Sequence, residues 1–249
     1  MKVHIILFIF LCIVTPLQTW AQGGPPLITD DPETPPDGHW EINIAEQSET
    51  TNIGTLIQVP YFDFNYGWGD RVQLKFETGG AIFTGLQNNF EAGWGAGLAG
   101  VKWRFVDDDS DGFFISTYPQ LNFNYFLTSS NPVLTETGSW FFLPLEFAKH
   151  FGPFAINPEV GYMFYNQGSN QYVYGIVFAY KTSKALELLS ELHGNTNVDG
   201  SGTQLLFNFG ARYDLSEGLS LIGSAGHTLQ NYPNESSELL SYLGVQLRI

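Results

Sequence analysis

The stretch "RVQLKFETG", Arg71 to Gly79, alternates Val72, Leu74 and Phe76 with Arg71, Gln73, Lys75 and Glu77. An extended chain turns successive side chains to opposite faces, so this segment has one apolar face and one charged face. The same period recurs in "FFISTYPQLNFNYF" (113–126), where Phe113, Ile115, Leu121, Phe123 and Tyr125 oppose Ser116, Gln120, Asn122 and Asn124. In "QYVYGIVFAYK" (171–181), Tyr172, Tyr174, Ile176, Phe178 and Tyr180 oppose smaller residues and Lys181. Counted along the chain there are about twelve such runs, near 38–48, 54–67, 70–78, 92–106, 113–127, 139–149, 154–165, 171–181, 185–195, 203–214, 218–229 and 239–249. The Gly-rich run at 92–106 is the weakest, and a count of about ten is the alternative.

The connections between runs fall into two sets. "GWGD", "DDDSDG", "HFGP", "TSKA" and "LSEG" are tight turns, whereas "GGAIFTGLQNNFEAG", "LTSSNPVLTETG", "GNTNVDGSG" and "QNYPNESSEL" are longer, and the two sets alternate. A meander with turns on one rim, loops on the other, an even strand count and both termini on the turn rim is the pattern of a transmembrane antiparallel up-and-down β-barrel. A soluble barrel would need bulky apolar residues inside. Here the second face carries Arg, Lys, Glu, Asn and Gln with Gly and Ala, which suits a polar lumen and an apolar exterior against outer-membrane lipid. The closing "SYLGVQLRI" sets Leu243, Val245, Leu247 and Ile249 against Tyr242, Gln246 and Arg248. It resembles the terminal strand recognised by the barrel-assembly machinery, except that Ile249 stands where an aromatic is usual.

Composition narrows the class further. Lys2, the apolar run Ile5–Leu17 and Thr19-Trp20-Ala21 read as a secretory signal over 1–21, too short to serve as an anchor. Cys12 lies inside that run, so the exported chain has no cysteine and cannot rely on disulfides. A formal charge of −15 argues against nucleic acid, which needs clustered cations. The domain reading is a signal at 1–21, an acidic Pro-rich segment at 22–37 and one barrel over 38–249. Its expected location is the outer membrane of a Gram-negative bacterium.

Three stretches carry a family resemblance: "GPPLITDDPETPPDGHWEINIA" (24–45), "GLAGVKWRF" (97–105) and "NFGARYDLSEGLSLIGSAG" (208–226). Together they resemble, in order and across nearly the whole exported chain, the barrel family described as transporters of the meta-pathway (MetA-pathway) of phenol degradation. The first block is fairly specific and the other two are generic glycine-rich hairpins. The resemblance implies an outer-membrane transporter that passes a small hydrophobic or aromatic solute. It brings no catalytic or binding residues.

Several charged residues remain to be placed. With both termini on the turn rim, alternation points Arg71, Arg104, Arg212 and Arg248 inward as a basic ring at the periplasmic mouth. Asp30, Asp31 and Glu33 emerge beside that ring, and prolines 25, 26, 32, 35 and 36 stiffen the segment that bears them. Residues 24–37 are therefore expected to fold across or into the mouth as a latch; a solvated acidic leader is the alternative. If Gly67 pairs with Arg71, Asp63 stands opposite Lys75 as an inward ion pair, and Glu187 lies level with Arg212. Such pairs either satisfy one another in a closed lumen or line a narrow selective path.

The remaining motifs carry less chemistry. "DDDSDG" (107–112) resembles the first half of a calcium loop, but the position for the closing Glu holds Tyr118, so a capped turn is preferred and no metal or cofactor is expected. His193 with Asn195 and Ser201 could sit near the outer leaflet, yet neither His193 nor His227 has a serine two residues on, so no enzyme activity is read. Three functions stay open: a channel for small molecules, a closed structural or adhesive barrel, and, more remotely, a lipid-modifying barrel enzyme.

Overall fold

The computed structural model describes residues 24–86, 89–135, 138–232 and 237–249; the secretory signal expected over 1–21 lies outside them. The described chain runs through β1 (Trp40–Thr51), β2 (Gly54–Trp68), β3 (Val72–Gly85), β4 (Phe90–Trp94), β5 (Gly97–Asp108), β6 (Phe113–Thr117) and β7 (Gln120–Phe123). It continues through β8 (Trp140–Phe151), β9 (Phe154–Tyr165), β10 (Gln171–Lys181), β11 (Leu186–Asn197), β12 (Thr203–Ser216), β13 (Leu219–Gln230) and β14 (Ser237–Arg248). Two barrel strands are interrupted. β4 and β5 part at Gly95 and Ala96, while β6 and β7 part at Tyr118 and Pro119, so these 14 segments make 12 barrel strands. Proline has no N–H to give to a ladder, yet the Pro119 carbonyl still accepts from Val101 N at 3.1 Å and carries the pairing across the break.

All pairings are antiparallel, and β1 closes on β14 from Glu41↔Arg248 to Thr51↔Ser237. The β1–β14 pairing closes the sheet into a barrel, as a sheet surrounded by lipid requires. The two faces separate as the alternation demands. On β10, Tyr172, Tyr174, Phe178 and Tyr180 are exposed while Val173, Val177 and Ala179 are buried. Near the turn rim the outward face is aromatic: Trp40 lies 4.9 Å from Tyr66, and Phe154 stacks on Tyr180 at 4.4 Å. The inward face is polar, and Asn43, Asp63, Lys102, Glu146, Asn157, Glu159, Glu191 and Gln246 are all buried.

Two expectations are corrected. The β2–β3 hairpin closes at Trp68↔Val72, which pairs Gly67 with Gln73 and sets Asp63 opposite Glu77 and Asn65 opposite Lys75. Arg71 belongs to the turn, where Gly69 adopts φ +64, so the assumed Gly67–Arg71 pairing was two residues out of register. A shift of two keeps every side chain on its face, and Lys75 Nζ still reaches Asp63 Oδ2 diagonally at 3.6 Å. The stretch 79–93, read as a long loop, is mostly strand. β3 runs on to Gly85 because Gly54–Gln58 of β2 continues to pair with it, and β4 starts at Phe90.

Candidate functional site

Residues 24–37 enter the barrel. The segment begins its path at the turn rim, where Gly38 N donates to Gly67 O at 3.0 Å and Gly69 N donates to Asp37 Oδ1 at 2.7 Å. Pro35 and Pro36 press against Gly67, and a Cβ there would overlap both proline carbonyls. The acidic stretch follows. Lys102 Nζ donates to Asp30 Oδ1 at 3.0 Å and to the carbonyls of Asp31 and Glu33, and it lies 4.6 Å above the Tyr118 ring. Glu33 Oε1 meets His150 Nε2 at 3.5 Å.

Beyond Asp30 the segment docks on the far wall. Glu191 accepts from Ile28 N at 3.3 Å and from Thr29 N at 2.5 Å, and Thr29 Oγ1 lies 3.2 Å from His193 Nδ1. Thr29 is fully buried against Gly175, where an added Cβ would overlap the threonine hydroxyl and stand 3.0 Å from its Cβ. Leu27 packs with Ala155, Val177, Ala179 and Leu189. Arg212 Nη2 donates to Pro25 O at 3.0 Å and Ser224 Oγ to Pro26 O at 2.7 Å. Lone backbone donors and acceptors are costly away from water, and here side chains from four strands, β5, β11, β12 and β13, supply partners.

The acids of this segment do not meet the arginines expected to hold them. Arg71 and Arg104 pair with Asp107, at 3.3 and 3.2 Å, and the Arg71 side chain is 54% exposed. Arg248 pairs with Asp214 at 2.8 Å, and Arg212 with Glu187 at 2.8 Å. Each guanidinium is taken up by a carboxylate of its own or a nearby strand, while Lys102 meets Asp30 and His150 meets Glu33. Asp31 turns its carboxylate back to accept from Glu33 N at 2.7 Å. Burial pushes the Asp31 carboxyl up to about 6, against the pull of Lys102.

Above the docked segment, toward the loop rim, lies a cavity of about 650 Å³ floored by Pro25–Ile28 and roofed in part by Val133, Leu134 and Thr135. Its walls combine carboxylates with the rings of Tyr61, Trp140, Phe142 and Tyr165. At the opposite rim, Asp108 Oδ1 accepts from Ser110 N and Asp111 N, both at 3.1 Å, so "DDDSDG" is a side-chain-capped turn. His193 faces the lumen and is buried against Thr29, not the lipid-facing wall where a lipid hydrolase would need it.

Among solved structures the chain is similar to an outer-membrane channel from Pseudomonas putida F1, with TM-score 0.72 and 15% identity over 90% of this chain and 100% of that one. It is also similar to the KdgM porin (TM-score 0.60, 11% identity, 82% of this chain and 98% of that one) and the NanC porin (0.60, 10%, 84% and 100%). At such identities the likeness is one of fold: that of outer-membrane barrel channels. No family model matches the chain, and no curated protein matches it.

Proposed function

We propose that this chain is an outer-membrane channel of a Gram-negative bacterium, passing small hydrophobic or aromatic solutes and closed at rest by residues 24–37. One observation carries the reading. The lumen is occupied by a segment of the chain itself, bound by side chains from strands far apart in sequence much as a ligand would be, and an aromatic-walled cavity remains above it. A barrel needing only to be solid has no use for a lumen wide enough to admit a second piece of backbone. The apolar outward face, the aromatic turn rim and the likeness in fold to outer-membrane channels support the location. We take β14 as the strand offered to the barrel-assembly machinery.

The closed structural barrel is favoured by a different observation: Tyr118, Lys102, Glu146 and Gln246 are fully buried within the lumen. Single-channel conductance separates the two. Residues 22–249 should give brief, infrequent openings, and a chain lacking 22–37 should give steady currents. If both insert and neither conducts, the lumen is closed by its own wall and the channel reading fails.

A further inference from the structure

We propose that the cavity above the docked segment binds a small aromatic amine in its ammonium form, with Glu159 as the carboxylate that receives it. The inference rests on the channel reading for what the site serves.

The charge balance of the cavity is the first argument. Its lining includes Asp30, Glu49, Glu77 and Glu159 against one ammonium, Lys75. That lysine is already engaged, 2.6 Å from Glu77 and 3.6 Å from Asp63, and Asp30 is held by Lys102 at 3.0 Å. Among the described residues Glu159 has no such partner. It is 2% exposed, it lines the cavity, and its Oε2 makes no hydrogen bond among the described residues. Its opposite number across the strand pair is another buried carboxylate, Glu146, which already has Ser116 and, at 3.7 Å, Lys102. A carboxylate withdrawn from water needs a compensating cation or a proton. Here neither is supplied by the described residues, and the group sits in the wall of a space large enough for a ligand.

The second argument is the wall beside it. Phe142 on β8 lays its ring over Gly161, two residues from Glu159 on β9, and lines the same cavity. Rings stack on a planar ligand, and their faces attract a cation. About 650 Å³ lies within the range of small-molecule pockets. An ammonium on a single aromatic ring satisfies both halves of the site, while a carboxylate on that ring meets uncompensated negative charge.

The test uses three probes of one shape on the full chain in detergent micelles at pH 7, followed by isothermal titration calorimetry with empty-micelle blanks. Benzylamine should bind at one site at least tenfold more tightly than benzyl alcohol, and benzoate should not bind. Glu159→Gln, nearly isosteric, should bring benzylamine down to the level of the alcohol. Equal binding of amine and alcohol, a preference for benzoate, or an unchanged preference in Glu159→Gln overturns the proposal, the first two without any variant. Binding is read on the closed barrel. A chain that binds the amine but never conducts, even without 22–37, would remove the channel and leave the site; steady conduction without amine preference would do the reverse.

Discussion

Thr29 is seated against Gly175, its hydroxyl 3.2 Å from His193 Nδ1 and its backbone N–H on Glu191, with no room for a methyl group between the two residues. Gly175 thus fixes where the segment stops. Gly175→Ala is expected to overpack this contact by about 1–3 kcal/mol and to raise the undocked fraction about tenfold or more. Glu-C cleavage after Glu33 should accelerate and channel openings should lengthen. The double variant Gly175→Ala with Thr29→Gly should restore part of the protection, since two residues in contact are not additive. Cleavage at the parent rate in the single variant would mean that the contact does not hold the segment.

Among the described residues Lys102 is the one cation in contact with Asp30, and its ammonium also spans the carbonyls of Asp31 and Glu33 and reaches Glu146. Lys102→Met leaves two carboxylates in a lumen built around one charge. Breaking a buried pair from one side typically costs about 3–5 kcal/mol, and here the segment can escape the cost by leaving. The expected result is hydrogen exchange at Thr29–Glu33 as fast as in free peptide, with exchange across β10–β12 unchanged. Slow exchange in the segment would contradict it.

How far these contacts were legible beforehand follows from their range. Inside and outside impose a period of two on every strand, so alternation located the strands, including those broken at Gly95 and Tyr118, but not the second half of β3 or the start of β4, which were read as loop. It left Lys102, Glu146, Glu159 and Glu191 unremarked, although each is a mid-strand polar residue next to a lipid-facing apolar one, as in "GVKWRF" and "LPLEFAK". That signal was sufficient to name them as lumen groups. Which of them meets Asp30 was not readable, since the segment crosses the barrel and touches strands more than 150 positions away. The rim arginines drew the prediction because they share a height with the leader, but carboxylates on the strands and turns are nearer.

The same reasoning separates two arginines that alternation treats alike. Arg212 Nη2 donates to Pro25 O, whereas Arg104 Nη2 donates to Asp70 O at the turn rim. Arg212→Gln should expose the segment to Glu-C several-fold, because it removes a backbone partner and leaves Glu187 without this ion pair. Arg104→Gln should leave cleavage within about twofold, in keeping with the small worth of a pair near the surface. Equal effects in the two variants would place the latch back among the rim charges.

Asp31 gives docking a dependence on pH whose sign can be worked out. Its carboxyl is pushed up to about 6 by burial when docked and titrates near the ordinary 3.8 when the segment is free. The docked state therefore binds the proton more tightly. The stability that Asp31 contributes is present in full below pH 3.8 and is lost as pH rises through 6. The difference amounts to at most about 3 kcal/mol. Lys102, Asp30 and Arg212 face the same carboxyl, and Asp30, whose carboxyl is held low by Lys102 and Lys75 despite its burial, titrates below this window. The open fraction in single-channel records should therefore climb between pH 4 and 6 more steeply in the parent chain than in Asp31→Asn, which has no proton to lose there. Superimposable pH profiles for the two would show that Asp31 does not change its protonation on docking.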